Sequence, residues 1–171
     1  MDCYTSSKFV DYDLRKTPSL DGDYYIAINA NYTRNGTASY ERIGNAIRIT
    51  RLRIISSSTD IPWIAIVLDK AKNPTTTPLL AGVLYDGTVA ASTVPMIHPN
   101  YTDRYEIIHY QYADTASTTS RMYIDQDIPV DITTVYSGLT IVSNPIYVLY
   151  DTWNLVSPTI QGIMRIYFED I

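Results

Sequence analysis

Short runs of apolar and β-branched residues recur along the chain, separated by clusters of Gly, Pro, Asn, Ser and Thr. Such runs are typical of β-strands, and no helical periodicity is long enough to cover a crossover between parallel strands. One helical turn is predicted at Leu79–Tyr85. We therefore expect an all-β protein, namely an eight-stranded antiparallel jelly-roll sandwich. The predicted strands are Tyr24–Thr33, Ile43–Ser56, Ile61–Leu68, Arg104–Tyr112, Arg121–Val135, Leu139–Val142, Ile146–Tyr150 and Gln161–Asp170.

The first 23 residues have a different character, because they are polar and rich in aspartate. Only Lys8, Arg15 and Lys16 offset these acidic side chains. The pattern predicts an extended N-terminal arm or lead-in over residues 1–23. The jelly-roll domain is then expected over residues 24–171.

The strand predicted at Ile43–Ser56 contains a change in its alternation. Apolar residues occupy positions 47 and 49 and then positions 52 and 54, so the parity slips by one near Thr50. A β-bulge produces such a slip, because two residues of one strand then oppose a single residue of the next strand. With the bulge in place, Arg48, Arg51 and Arg53 all lie on the face that points away from the core.

The run from Trp63 to Leu68 is apolar at both parities. In a sandwich this pattern predicts a central strand that is covered on both faces, by the core and by a second layer. A neighbouring subunit is the natural second cover. The long, Pro-containing loops over Asp69–Leu79 and Tyr85–Asp103 are expected to make contacts with other molecules.

Composition narrows the class of protein. Hydrophobic residues make up 46% of the chain and charged residues 18%, so a sizeable core is possible and wholesale disorder is not expected. Cys3 is the single cysteine, which excludes an intrachain disulfide. The apolar run Ile64–Leu68, like every other apolar run of the chain, is too short to span a bilayer, so no membrane partner is expected. The net charge of −5 argues against general affinity for nucleic acid.

No pattern in the sequence indicates an enzyme. His98 and His109 lack the spacing of a metal-binding helix, and each is interpreted as a surface or interface histidine. There is no G-x-S-x-G, no Gly-rich phosphate loop and no C-x-x-C. We therefore expect a protein without catalytic residues.

Two pairs of carboxylates, Asp125/Asp127 and Glu169/Asp170, are interpreted as solvated turn residues rather than as an acid/base pair. No D-x-D-x-D-G loop is present. No cofactor and no metal site are expected, with a structural calcium ion left open as an alternative.

Four segments, in this order, carry a resemblance to a known family. They are Arg42–Ile49 (R-x-G-x-x-I-x-I), Ile64–Lys70 (a hydrophobic strand ending in Asp-Lys), Asn144–Leu149 (N-x-x-Y-x-L) and Gly162–Asp170 (G-x-x-R-x-x-F-x-D). From about Tyr24 onward the chain resembles the single jelly-roll capsid proteins of small circular single-stranded DNA viruses, the circovirus-like group. It is also similar to the coat proteins of necrosis-type satellite viruses.

The resemblance implies a structural capsid protein that self-assembles into an icosahedral, T=1 shell of sixty copies. It places the protein in the virion, after assembly in the nucleus or cytoplasm of the host cell, and implies a host-cell receptor of unknown identity. Residues 24–171 would be the capsid domain. Loops at one end of the roll would meet around the five-fold axes.

The chain departs from this family at its beginning. Such capsid proteins usually start with an arm rich in Arg and Lys that binds the single-stranded genome, whereas this sequence starts with an acidic lead-in. The genome is therefore expected to bind through a basic arm that is absent from this sequence. Within the sequence, the candidate nucleic-acid-binding residues are Arg48, Arg51 and Arg53.

The alternative is a jelly-roll module that binds carbohydrate, as a lectin does. Trp63, Trp153 and surface tyrosines would then form a platform on which sugar rings stack. Trp63 opens a core strand and is predicted to be buried, whereas Trp153 lies in a loop. For the capsid hypothesis, the candidate interface residues are Trp63, Trp153, Tyr101 and Tyr105, because aromatic side chains are enriched at interfaces.

Overall fold

The structure is a computed structural model that describes residues 8–14, 24–27, 40–59, 63–72, 97, 99–112, 121–150 and 159–171. These residues form nine strands and one 3-10 helix at Pro99–Tyr101. The strands are β1 (Lys8–Asp13), β2 (Tyr24–Ala27), β3 (Ala46–Thr59), β4 (Trp63–Asp69), β5 (Tyr105–Tyr112), β6 (Arg121–Ser137), β7 (Thr140–Ser143), β8 (Ile146–Tyr150) and β9 (Thr159–Asp170).

The strands pair antiparallel in two sheets. The five-stranded sheet has the order β1-β9-β3-β6-β7, and the four-stranded sheet has the order β2-β8-β4-β5. The short strand β7 is joined to β6 by a tight turn, and the other eight strands form the two four-stranded layers of a jelly-roll sandwich. The all-β jelly-roll prediction is confirmed, and each of the eight predicted strands has a counterpart among the described residues. Residues 28–33 of the strand predicted at Tyr24–Thr33 lie outside the described residues. The helical turn predicted at Leu79–Tyr85 lies outside the described residues.

The main core lies between the two sheets. Strands β3, β6 and β9 supply alternate side chains to it, as expected for strands with one face on the core and one on solvent. From the four-stranded sheet, β4 and β8 contribute alternate residues to the same core. Its fully buried members include Ile47, Ile49, Leu52, Ile66, Ile146, Val148, Met164, Ile166 and Phe168.

Strand β1 lies inside the stretch that composition assigns to an arm. Residues Lys8–Asp13 pair with β9 along their whole length, and Val10, Tyr12 and Leu14 are buried in the main core. The boundary at residue 23 is therefore wrong for this segment, because β1 is an edge strand of the five-stranded sheet. Acidic residues on its outer face hide the alternation of Val10, Tyr12 and Leu14 in a composition count.

The predicted bulge near Thr50 is confirmed, and the irregularity continues across the sheet. Ile49 and Leu52 both face the core, with two residues between them on β3. On β9, the residues that pair with Ile49 and Leu52 have one residue between them, Tyr167, whereas on β6 the corresponding residues have three between them, 129–131. The number of intervening residues therefore increases from one on β9 to two on β3 and three on β6. All three arginines of β3 lie on the outer face, as the bulge predicts.

Strand β4 is buried on both faces, as its sequence predicts. Its second face joins a smaller core cluster that contains Trp63, Ala65, Val67, Tyr147 and Leu149. These side chains are buried within a single copy of the chain. The expectation that a neighbouring subunit supplies the second cover is therefore wrong for this strand.

Candidate functional site

The outer face of the five-stranded sheet carries about half of the charged side chains that the structure describes. Its two central strands carry arginines, which are Arg48, Arg51 and Arg53 on β3 and Arg165 on β9. The strands on either side of this pair carry aspartates, Asp11 and Asp13 on β1 and Asp125, Asp127 and Asp131 on β6. A positive stripe therefore lies between two negative stripes.

Arg48 pairs with a carboxylate of the neighbouring strand. Its Nε and Nη2 donate hydrogen bonds of 2.7 and 3.1 Å to the two carboxylate oxygens of Asp131. Glu169 lies 3.9 Å away on the other side. Hydrogen bonding between the two groups lowers the pKa of Asp131 and raises the pKa of Arg48. Asp131 is one of the three residues that β6 places opposite the bulge, so the irregular register brings this pair together.

A second set of pairs forms a row across four strands. Asp11, Arg165, Arg53 and Asp127 are register partners on β1, β9, β3 and β6. Arg165 donates hydrogen bonds of 2.6 and 2.7 Å to Asp11, and this bonding raises the pKa of Arg165. Arg53 lies 3.2 Å from Asp125 and 3.7 Å from Asp127. Arg165 is therefore held by Asp11 of β1, and Arg53 is held by Asp125 of β6.

Aromatic rings lie beneath two of these guanidinium groups. Arg51 lies over the ring of Tyr167 at 3.8 Å, and Arg165 lies over the ring of Phe9 at 4.3 Å. Arg51 also has Asp127 at 3.8 Å. Because carboxylates outnumber arginines on this face and pair with them, a polyanion must displace carboxylates before it can contact the guanidinium groups.

The two carboxylate pairs Asp125/Asp127 and Glu169/Asp170 form ion pairs with basic side chains, whereas the sequence predicts solvated turn residues. Asp125 and Asp127 lie within strand β6 and pair with arginines of β3, so their assignment to a turn is wrong. Glu169 and Asp170 end strand β9, where Asp170 pairs with Lys8 at 2.6 Å. The sequence offers one signal for the first case, since aspartates at alternate positions match arginines at alternate positions on another strand.

Two segments that carry the family resemblance meet through Asp69, the last residue of β4. Its side chain is fully buried and accepts two hydrogen bonds of 2.9 Å from Arg104. The backbone N–H of Asp69 donates to the carbonyl of Pro145, and that of Lys70 donates to the carbonyl of Arg104. Asp69 therefore joins the end of β4 to the start of β5 and to the start of β8.

Arg42 performs a similar role at one end of the five-stranded sheet. Its guanidinium group is fully buried, lies 4.3 Å from the ring centroid of Tyr136, and donates hydrogen bonds to the carbonyls of Gly44 and Gly138. The segment before β3 is thereby fixed to the turn between β6 and β7. A buried arginine is uncommon, and sequence reasoning did not identify this one, nor did it identify the pairing of Arg104 with Asp69.

The aromatic residues predicted to form an interface differ in how exposed their side chains are. Trp63 is 4% exposed and Tyr105 is 6% exposed, so in a single copy neither side chain is available to a sugar ring or to a partner. The predicted burial of Trp63 is confirmed. Tyr101 is exposed and packs edge-on against Tyr105. Trp153 lies outside the described residues.

His109 lies on β5, where burial lowers the pKa of its imidazole. Its Nε2 is buried and has no hydrogen-bond partner. Among the described residues, no three His, Cys, Asp or Glu side chains are grouped closely enough to hold a metal ion. His98 lies outside the described residues.

Comparisons with known proteins give little further information. No family model matches the chain, and no curated protein matches it. Among solved structures, that of infectious bursal disease virus Gx strain aligns with 96% of this chain and 32% of its own chain, at 12% sequence identity and a TM-score of 0.26. The chain thus spans about a third of that protein, and a TM-score this low carries no argument. In the described part of the chain, no helix is long and apolar enough to cross a membrane.

Proposed function

We propose that this chain is a structural viral capsid protein that assembles with copies of itself into a small icosahedral shell around a single-stranded genome. The observation that supports this proposal best is where the fold places the four segments of the family resemblance. Each segment lies on a strand of the jelly roll or at the end of one, and each contains a residue that fixes how strands meet.

Four residues, one in each segment, determine how the strands meet, and each does so through a different contact. Arg42 connects the start of β3 to the turn after β6, and Asp69 connects β4 to Arg104. Asn144 has a φ of +56° and donates a 2.6 Å hydrogen bond to the carbonyl of Thr133, which sets the entry to β8. Gly162 allows β9 to approach β3 closely.

The charge pattern supports genome binding by a separate basic segment rather than by this domain. The arginines predicted to contact nucleic acid lie on an exposed sheet face, but each has a carboxylate partner in the same chain. We therefore assign little genome affinity to this face. The genome would bind through a basic arm that is not among these 171 residues, and Arg48, Arg51 and Arg53 would make secondary phosphate contacts.

The test is the size of the assembled protein. Sixty copies of 19.3 kDa amount to about 1.2 MDa. We expect sedimentation velocity to show a species of this mass and negative-stain microscopy to show closed particles. A stable 19.3 kDa monomer that binds glycans would instead support the carbohydrate-binding alternative and overturn the capsid proposal.

A further inference from the structure

Four large apolar side chains are exposed on segments that meet at one end of the five-stranded sheet. We name this set the apolar corner; it consists of Tyr40, Ile43, Leu139 and Ile171, each more than half exposed. The residues come from three separate parts of the chain, namely the segment before β3, the turn between β6 and β7, and the position directly after β9. Their proximity is therefore a product of the fold and is not visible in the sequence.

Hydrogen bonds hold these three parts against one another. The backbone N–H of Ile43 donates a 2.7 Å hydrogen bond to Oδ1 of Asp170, the residue before Ile171. The buried guanidinium of Arg42 donates to the carbonyl of Gly138, the residue before Leu139. The apolar corner is thus fixed before any partner arrives, and a preordered surface loses little conformational entropy on binding.

The charged groups beside the apolar corner are satisfied internally. Lys8 bonds to the other carboxylate oxygen of Asp170 at 2.6 Å and donates a 2.9 Å hydrogen bond to the carbonyl of Glu41. Lys8 and Asp170 neutralise each other and need no charge from a partner, so the apolar side chains beside them favour a partner that is recognised by shape and apolar area. A copy of this chain, which carries a net charge of −5, can dock here without bringing its charge against an unpaired Asp170.

The area of the apolar corner suits a repeated contact. Its four side chains expose roughly 450 Å² of largely apolar surface, which is within the size range of the largest patch on an ordinary monomer, a patch that is often functional. A stable pairwise interface uses about 800 Å² from each partner. The apolar corner supplies about half of that share, which is too little for a durable free dimer. It is sufficient where each copy repeats the contact around a closed assembly.

We infer that the apolar corner is a contact surface for a second copy of this chain. This inference rests on the proposed shell, and it names one surface through which the shell is built. The ends of β1, β3, β5 and β8 lie at the opposite end of the sandwich, so the apolar corner is separated from them by the length of the sheet.

The test compares two exposed side chains with equal exposure. Leu139 in the apolar corner and Tyr123 on the outer face of β6 are both 71% exposed, so Leu139→Ser and Tyr123→Ser each remove an exposed apolar group without opening the core. Urea unfolding checks that both variants fold. In sedimentation velocity of the full chain, we expect Leu139→Ser to lower the assembled fraction at least tenfold relative to Tyr123→Ser. Ile171→Ser should reproduce the effect of Leu139→Ser.

The outcomes separate this inference from the shell proposal. If the unsubstituted chain forms particles and both apolar-corner variants form them equally well, the inference is overturned and the shell stands. If the unsubstituted chain forms only a small oligomer that Leu139→Ser dissolves, the inference stands and the shell is overturned. A chain that remains monomeric at every concentration overturns both.

Discussion

Asp69 and Arg104 form a carboxylate–guanidinium pair in which both hydrogen bonds are 2.9 Å and the carboxylate is fully buried. Removing Asp69 leaves the partly exposed Arg104 without its counter-charge and leaves the backbone N–H of Ala71 without the carboxylate that accepts its hydrogen bond, which together cost more than breaking a pair in water. We expect Asp69→Ala to lower the free energy of unfolding by about 3 kcal/mol. The measurement is urea denaturation followed by tyrosine and tryptophan fluorescence.

The neighbouring pair provides a matched control. Lys70 and Glu106 lie 3.8 Å apart, and both side chains are largely exposed. We expect Lys70→Ala to change the free energy of unfolding by less than about 0.5 kcal/mol. Equal stabilities for Asp69→Ala and Lys70→Ala would contradict the structural role assigned to Asp69.

Gly162 permits the close approach of β9 to β3. A Cβ at this position would lie 2.6 Å from Cα of Ser56 and 2.8 Å from its Cβ, and the φ of +149° is unfavourable for other residues. Gly162→Ala should therefore cost about 3 kcal/mol or more, from backbone strain and overpacking together. Gly138→Ala is the control, because φ is also positive there (+63°) but nothing lies within 4 Å of the added Cβ. Its cost should be about 1 kcal/mol, and similar losses at the two positions would refute the packing argument.

His109 should make the protein less stable at mildly acidic pH. Burial lowers the pKa of its imidazole below the ordinary value of 6.5, so the unfolded chain binds a proton before the folded protein does. The free energy of unfolding must then fall as the pH drops through 6.5, and this fall ends at the lower pKa of the folded state. The loss from this one group cannot exceed about 1.4 kcal/mol at about pH 5.5.

Denaturation midpoints at about pH 7.5 and 5.5 measure this effect. His109→Gln should lose less stability between the two pH values than the unsubstituted chain. His98→Gln removes the other histidine and should retain the loss. An unchanged pH dependence in His109→Gln would show that its imidazole is not the titrating group.

Arg48, Arg51 and Arg53 of the positive stripe should bind single-stranded nucleic acid weakly until their carboxylate partners are removed. Three phosphate contacts would give a salt slope of about −2 for a single strand. Because Arg48, Arg51 and Arg53 have partners on β6, the chain should show weaker binding and a shallower slope than this value. The combined change Asp125→Asn, Asp127→Asn and Asp131→Asn should raise affinity and bring the slope toward about −2.

Filter binding of a labelled oligonucleotide across a salt series tests this prediction. The combined change of Arg48, Arg51 and Arg53 to Ala is the control, because it should abolish the gain when added to the asparagine variant. Tight binding with a steep slope that persists in this control would place the basic surface elsewhere.

Strand positions were largely predictable from local pattern. Alternation identifies a strand with one buried face, and a slip in alternation identifies the bulge at Thr50, since both signals lie within a few residues. Strand β1 was not identified, because outward aspartates dominate the composition of the segment around Val10 and Tyr12. A strand with acidic residues on its outer face resembles a solvated arm until its inward residues are examined separately.

Pairs between distant strands could not be predicted. Arg48 and Asp131 are 83 residues apart, and Asp11 and Arg165 are 154 residues apart. Their contact depends on strand order and on the register on each side of the bulge, and neither follows from alternation. The burial of Arg42 was not predictable for another reason, because arginine is almost never fully buried without partners supplied by tertiary structure.

The position of β9 determines when the domain can finish folding during synthesis. This strand lies between β1 and β3, so the five-stranded sheet stays divided until residues 159–170 have left the ribosome. Until then β1 has no partner strand and β3 has an open edge, which other nascent chains could pair with. Completion by so late a strand also makes folding slow, because its pairs with β1 are highly non-local. A complete five-stranded sheet can therefore arise only from chains translated through β9.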